Sequence, residues 1–211
     1  MKKQTVFWDV DTQFDFMRPE GNLYVPEAEQ IIDKVSDVRR FALENGYSII
    51  ADIDWHSREN EEISDNPDFK ETFPPHCLAG SKGSQRVGDL GNIPIDYIEN
   101  KPVDEKTLRK LVDKDQFHVV IRKESLDAFE NPNTDKLLEI LAPETIVAFG
   151  VALDCCVSCV LKGLTKHGGI KMILLKDVTK GLGTRPEEEI YAEFEKMGVE
   201  IAEFDDLKGT L

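Results

Sequence analysis

Cys156 lies in the run from Ile146 to Val157, where an almost wholly apolar stretch ends at Gly150, turns through Asp154 and enters a helical pattern. That layout presents a thiol beyond a buried strand and at the positive end of a helix, where a thiol pKa is expected to fall and the nucleophilic thiolate to gain. Two other residues stand just past apolar runs in the same way: Asp11 after Thr5 to Val10, and Lys123 after His118 to Arg122. A carboxylate that accepts the thiol proton and an ammonium that holds the thiolate make a cysteine able to attack carbonyl carbon and form a thioester. Taken singly, each has a plainer explanation. Asp11 suits a turn or a cap, Lys123 suits a surface beside Arg122 and Glu124, and Cys156 suits a small buried hydrophobe.

A second constellation is Asp54-Trp55-His56 with His76 downstream, in Phe73-Pro74-Pro75-His76-Cys77. In an extended segment Asp54 and His56 share one face. Two imidazoles and a carboxylate suit a divalent ion, zinc first and iron, manganese or cobalt otherwise, with positions left for water or substrate. The chain has only four histidines, and two of them fall here. A third arrangement competes for the same thiol. Cys156 and Cys159 form a C-x-x-C pair beside Cys155, which fits a thiol redox or metal-binding module. No second C-x-x-C completes four thiolates, and no glycine-rich phosphate loop is present.

The elements that must position these groups alternate. Strands are expected at Thr5 to Val10, Tyr47 to Ile53, His118 to Arg122, Thr145 to Val151, Ile170 to Leu175 and Val199 to Ala202, with a weaker candidate at Ile93 to Glu99. Helices are expected at Pro26 to Asn45, Lys106 to Val112, Thr134 to Leu141, Asp154 to His167 and Pro186 to Met197. This rhythm predicts an α/β fold, a three-layer α/β/α sandwich on a mostly parallel six-stranded sheet. Such folds bind ligands beyond the carboxyl ends of their strands, where Asp11, Asp54, Lys123 and Cys156 all fall. The stretch from Ser57 to Asn92 breaks the rhythm and is too long for an ordinary connection, which marks it as a functional loop or a lid.

Composition narrows the partners. With 26 Lys plus Arg against 41 Asp plus Glu, the formal net charge is -15, so nucleic acid and anionic membranes are excluded as partners. No apolar run is long enough to span a bilayer, and the N-terminus lacks the pattern of a signal peptide. Four cysteines, three of them crowded together, suit a reducing cytoplasm better than a disulfide framework. A length of 211 residues suits one domain, and a homo-oligomer is compatible with the sequence.

Four motifs in order resemble the nicotinamidase branch of the isochorismatase-like cysteine hydrolases: Val10 to Phe16, Asp54-Trp55-His56, Phe73 to Gly80, and Gly150 to Val157. Lys123 stands where that family has its lysine. The resemblance implies a single isochorismatase-like hydrolase domain over 1–211 that converts nicotinamide to nicotinate and ammonia in NAD salvage. It implies Cys156 as nucleophile, Asp11 as base and Lys123 as the charge that holds the thiolate. It further implies a cis peptide at Val151–Ala152, with the backbone N–H groups of Ala152 and Cys156 as oxyanion donors. Asp54, His56 and His76 would hold the metal, and Phe16 and Phe73 would flank the substrate ring. A relative acting on another small amide or ureido compound fits the same motifs.

Overall fold

The computed structural model describes residues 5–211. The absence of a signal peptide was expected partly from residues 1–4, which lie outside the described residues. The first strand, β1 (Thr5–Val10), is buried along its whole length. Val6, Trp8 and Val10 pack into one layer and Phe7 into the other, the two-residue alternation of a strand covered on both faces. Six further strands follow: β2 (Ser48–Asp54), β3 (Ile95–Ile98), β4 (His118–Lys123), β5 (Thr145–Val151), β6 (Lys171–Lys180) and β7 (Val199–Ala202). All pair in parallel, in the order β3-β4-β2-β1-β5-β6-β7.

The sheet therefore has seven strands, not the six expected. The weak candidate became the edge strand β3, four residues long and only partly buried, so its apolar signal is slight. The sixth strand also runs past Leu175 to Lys180, because Val178 and Thr179 stay buried and its pairing with β5 shifts register between Ala148 and Gly150. The polar pair Lys176 and Asp177 hides this continuation in the sequence.

Helices cover both faces. Buried residues of α3 (Glu105–Val112), α4 (Thr134–Leu141), α5 (Cys156–Leu164) and α6 (Glu187–Lys196) join one core cluster. Those of α1 (Phe14–Met17), α2 (Ile32–Glu44) and α7 (Phe204–Lys208) join the other. The helix expected over Pro26 to Asn45 opens with a 3-10 turn at Ala28–Ile31 before α2, and the one expected from Asp154 starts at Cys156.

The chain adds strands on one side of β1 up to β4, then crosses to β5 on its other side. The order thus reverses at β1 and β5, and the crevice beyond their carboxyl ends is where such sheets bind ligands. Gly150 lets the two strands meet there: a Cβ on it would lie 2.1 Å from the Val10 carbonyl oxygen. The next peptide, Val151–Ala152, is cis, as the resemblance implies.

Candidate active site

Asp11 is the first residue past β1. Its backbone takes φ 47°, a left-handed conformation that costs a non-glycine residue roughly 1–3 kcal/mol. Its N–H donates a hydrogen bond of 3.1 Å to the Asp52 carbonyl, which holds it there, and the residue is 1% exposed. Lys123 ends β4, in register beside Asp54 at the end of β2. Cys156 opens α5 directly beyond β5. Four strand ends thus deliver one buried lysine between two carboxylates and a thiol. Lys123 Nζ is 2.9 Å from Asp11 Oδ2, 4.0 Å from Cys156 Sγ and 3.1 Å from the Ser125 carbonyl, and it also donates to Asp54 Oδ1.

The electrostatics correct one expectation. Burial pushes the Cys156 thiol well above its ordinary range, against the pull of Lys123, so the helix terminus does not leave a resting thiolate. Burial also raises Asp11 well above the usual carboxylate range, again opposed by Lys123. Burial disfavours charge on Lys123, but Asp11 and Asp54 outweigh it and keep the ammonium charged. Neither Asp11 oxygen closes a hydrogen bond of good geometry, although the carboxylate lies near enough to the thiol to help raise it. The Ala152 carbonyl takes the amides of Cys155 and Val157, at 3.0 and 3.1 Å. The Cys156 N–H between them has no helical carbonyl one turn back.

The second constellation also comes together. One ligand atom each from Asp54, His56 and His76 lies within 4.8 Å of the others, and all three residues are buried. Asp54 Oδ2 is 3.2 Å from His76 Nε2 and 3.4 Å from His56 Nε2. His76 Nδ1 donates to the Pro74 carbonyl at 2.8 Å, which leaves the Nε2 lone pair free to ligate. Both ring nitrogens of His56 are buried without a hydrogen-bond partner. Orphaned imidazole nitrogens beside a carboxylate are the donor set of a divalent metal site, so these residues fit one. Burial opposes charge on Asp54, but Lys123 and both histidines hold it well below the usual carboxylate range, ionised as a ligand must be.

Above these groups lies a narrow apolar slot with a water-accessible volume of about 40 Å³. Phe16, Phe73, Leu23, Leu126 and Leu182 wall it, and Asp11, Asp54, His76 and Cys156 line it too. The rings of Phe16 and Phe73 meet His76 edge-on, at 5.5 and 6.2 Å. All four cysteines are free thiols. The slot suits a flat, mostly apolar ring with a carbonyl aimed at the thiol.

The matching family model is the isochorismatase domain, over residues 6–206. The chain belongs to the isochorismatase family. A nicotinamidase of Saccharomyces cerevisiae is 25% identical over 199 residues, 84% of this chain and 88% of that one. The crystal structure of a Pyrococcus horikoshii pyrazinamidase in complex with zinc aligns at TM-score 0.74 and 28% identity, covering 95% of this chain and 99% of that one. A nicotinamidase/pyrazinamidase of Mycobacterium tuberculosis is 28% identical over 89 residues, 42% of this chain and 47% of the other.

Within this family fold, several residues that support the site carry little signal in the sequence. Gln13 is fully buried and clamps the Asp54 main chain, donating to its carbonyl and accepting from its amide, both at 2.8 Å. Asp15 takes the Cys77 amide at 2.7 Å and so fixes the segment that carries His76. Gly83 leaves room for that carboxylate, since a Cβ there would lie 1.9 Å from Asp15 Oδ2. Gln13 and Asp15 sit in the Asp11 motif, and that proximity was their only clue. Asp52 is buried behind Asp54, holds Trp8 Nε1 at 2.6 Å, and is pushed by burial to about 7. Glu62, buried within electrostatic reach of Asp54, His56 and His76, had no clue at all, being one acid among many in a long loop.

Proposed function

We propose that this chain is a metal-dependent cysteine amidohydrolase that converts nicotinamide to nicotinate and ammonia, as one domain spanning the chain. The observation that carries the reading is the placement of Lys123 between Asp11 and Cys156, at 2.9 and 4.0 Å. The names of the relatives support the substrate, and the slot between Phe16 and Phe73 suits a pyridine ring.

The thiol is protonated at rest, so proton transfer accompanies attack. Asp11, made more basic by burial, accepts the Cys156 proton as sulfur adds to the carboxamide carbon. Lys123 offsets the negative charge that passes between them. The N–H groups of Ala152 and Cys156 receive the developing oxyanion. The C–N bond then breaks, Asp11 returns its proton to nitrogen, and ammonia leaves a thioester on Cys156. Asp11 next takes a proton from water, which adds to the thioester. The C–S bond breaks, nicotinate leaves, and the proton returns to sulfur.

Asp54, His56 and His76 would hold a divalent ion, zinc first, which would supply Lewis acidity beside the substrate ring. Nicotinate as product suits a step of NAD salvage, and four free cysteines accord with a reducing cytoplasm. The test is ammonia release from nicotinamide by zinc-loaded protein, repeated after chelation and after zinc is restored. Release that stops and returns with zinc is expected. No release by the loaded protein, or full activity in Cys156→Ala, would overturn the proposal.

A further inference from the structure

Beside the catalytic slot lies a wide cleft with a water-accessible volume of about 490 Å³. Five glutamates line it: Glu61, Glu62, Glu71, Glu124 and Glu130. None of the five has an ion-pair partner among the described residues. Four are exposed, but Glu62 is only 9% exposed, and its Oε1 is buried without a hydrogen-bond partner. Asn100 Oδ1, in the same cleft, is a second buried oxygen with no donor. Two orphaned acceptors in an unopposed acidic cleft call for a cation.

The cleft adjoins the Asp54, His56 and His76 set. The Glu62 carbonyl takes the amide of Phe73, which walls the slot. The Glu62 carboxylate lies within electrostatic reach of both histidines and Asp54. Ser125, also in the cleft, offers its carbonyl to Lys123.

Lining chemistry separates the routes open to a hydrated metal ion. The slot is walled by Phe16, Phe73, Leu23, Leu126 and Leu182, which offer its waters no hydrogen bond, whereas the cleft is lined by carboxylates, amides and hydroxyls. Clefts lined by one sign of charge raise local counter-ion concentration and on-rates by roughly 10- to 1,000-fold.

We propose that this cleft is a capture site for hydrated divalent cations, from which the ion sheds water past Glu62 and passes to Asp54, His56 and His76. This rests on the metal reading above. The probe is zinc binding to chelator-stripped protein, followed in stopped flow with a fluorescent zinc indicator at low and high salt. The variant Glu61→Gln, Glu71→Gln, Glu124→Gln, Glu130→Gln removes four charges from the cleft and leaves Glu62 in place. The control Glu44→Gln, Asp113→Asn, Asp115→Asn, Glu195→Gln removes four exposed charges at the opposite, amino edge of the sheet. The cleft variant should load zinc at least about tenfold more slowly at low salt, with the gap closing as salt rises. The control should stay within about twofold of the unaltered protein, since its charges lie beyond about 10 Å of screening. Equal loading rates in the two variants, or a wild-type rate indifferent to salt, would overturn the capture role. Wild-type protein that binds no zinc, or whose zinc binding survives His76→Ala unchanged, would overturn the metal reading itself and this proposal with it.

Discussion

Asp9 and Asp11 stand two residues apart at the end of one strand, both buried, yet they are built for opposite purposes. Asp9 has dedicated partners. Arg39 Nε lies at 2.7 Å, Arg86 donates to the same oxygen, and Thr12 Oγ1 donates to the other at 2.9 Å. Burial works against its charge, but the two arginines outweigh it and hold the carboxyl well below the usual range. Asp11 shares a single lysine with Asp54, closes no good hydrogen bond, and is raised by burial. Burial costs both groups; the number of dedicated donors separates a carboxylate held as an anion from one whose charge burial disfavours. The Asp9 network ties β1 to α2, to the end of the long loop at Arg86 and to His118 at the start of β4. It holds the frame, while the Asp11 cluster gathers two carboxylates and a thiol around one ammonium.

Asp11→Asn should give the largest effect, a fall of at least about 1,000-fold in kcat/KM for nicotinamide. Its melting temperature should not fall, because Asn tolerates a φ of 47° and removes a buried carboxylate. A parallel loss of stability would erase the contrast. Asp9→Asn should do the reverse. Stranding Arg39 and Arg86 should lower unfolding free energy by about 3–5 kcal/mol in urea titrations, while the folded fraction keeps a kcat near wild type.

The contrast sharpens with pH. Arg86 Nη1 donates to His118 Nε2 at 2.8 Å, which requires a neutral ring, and burial lowers that histidine to about 3. In the unfolded chain it titrates near ~6.5. Between those values the unfolded state binds the extra proton, so stability is full above ~6.5 and falls as pH drops toward 3. Urea midpoints from pH 7.5 to 4.5 should fall in the wild type and fall less in His118→Gln, which keeps an acceptor for Arg86. The smallest effect is expected at the rim of the slot. Asp154 accepts from the Leu182 and Thr184 amides at 2.8 and 3.1 Å and so holds Leu182 as a wall. Asp154→Ala should raise KM several-fold with kcat little changed.

The parts legible in the sequence are those with a period or a boundary. Apolar runs closed by a polar residue announced β1, β4 and β5, and the residues just past them are Asp11, the strand-final Lys123 and, after a turn, Cys156. The Thr134–Leu141 helix matched to the residue. What escaped were features set by tertiary contact. β3 is too short and too exposed to announce itself, and β6 continues through two polar residues because Val178 and Thr179 pack inward. Helix position alone implied an acidic thiol at Cys156; burial, invisible in one dimension, reverses that direction. Glu62 answers to groups as far off as Lys123 and the Asp9 network to Arg39 and Arg86, 30 and 77 residues away in sequence, which composition does not reveal.

The most direct test of the central claim is rapid acid quench of the enzyme turning over nicotinamide, followed by mass spectrometry of its peptides. A nicotinoyl group on Cys156 in the wild type, and its loss in Asp11→Asn, is the predicted result. Turnover with no acyl group on any cysteine, or an acyl group on Cys155 or Cys159 instead, would contradict it.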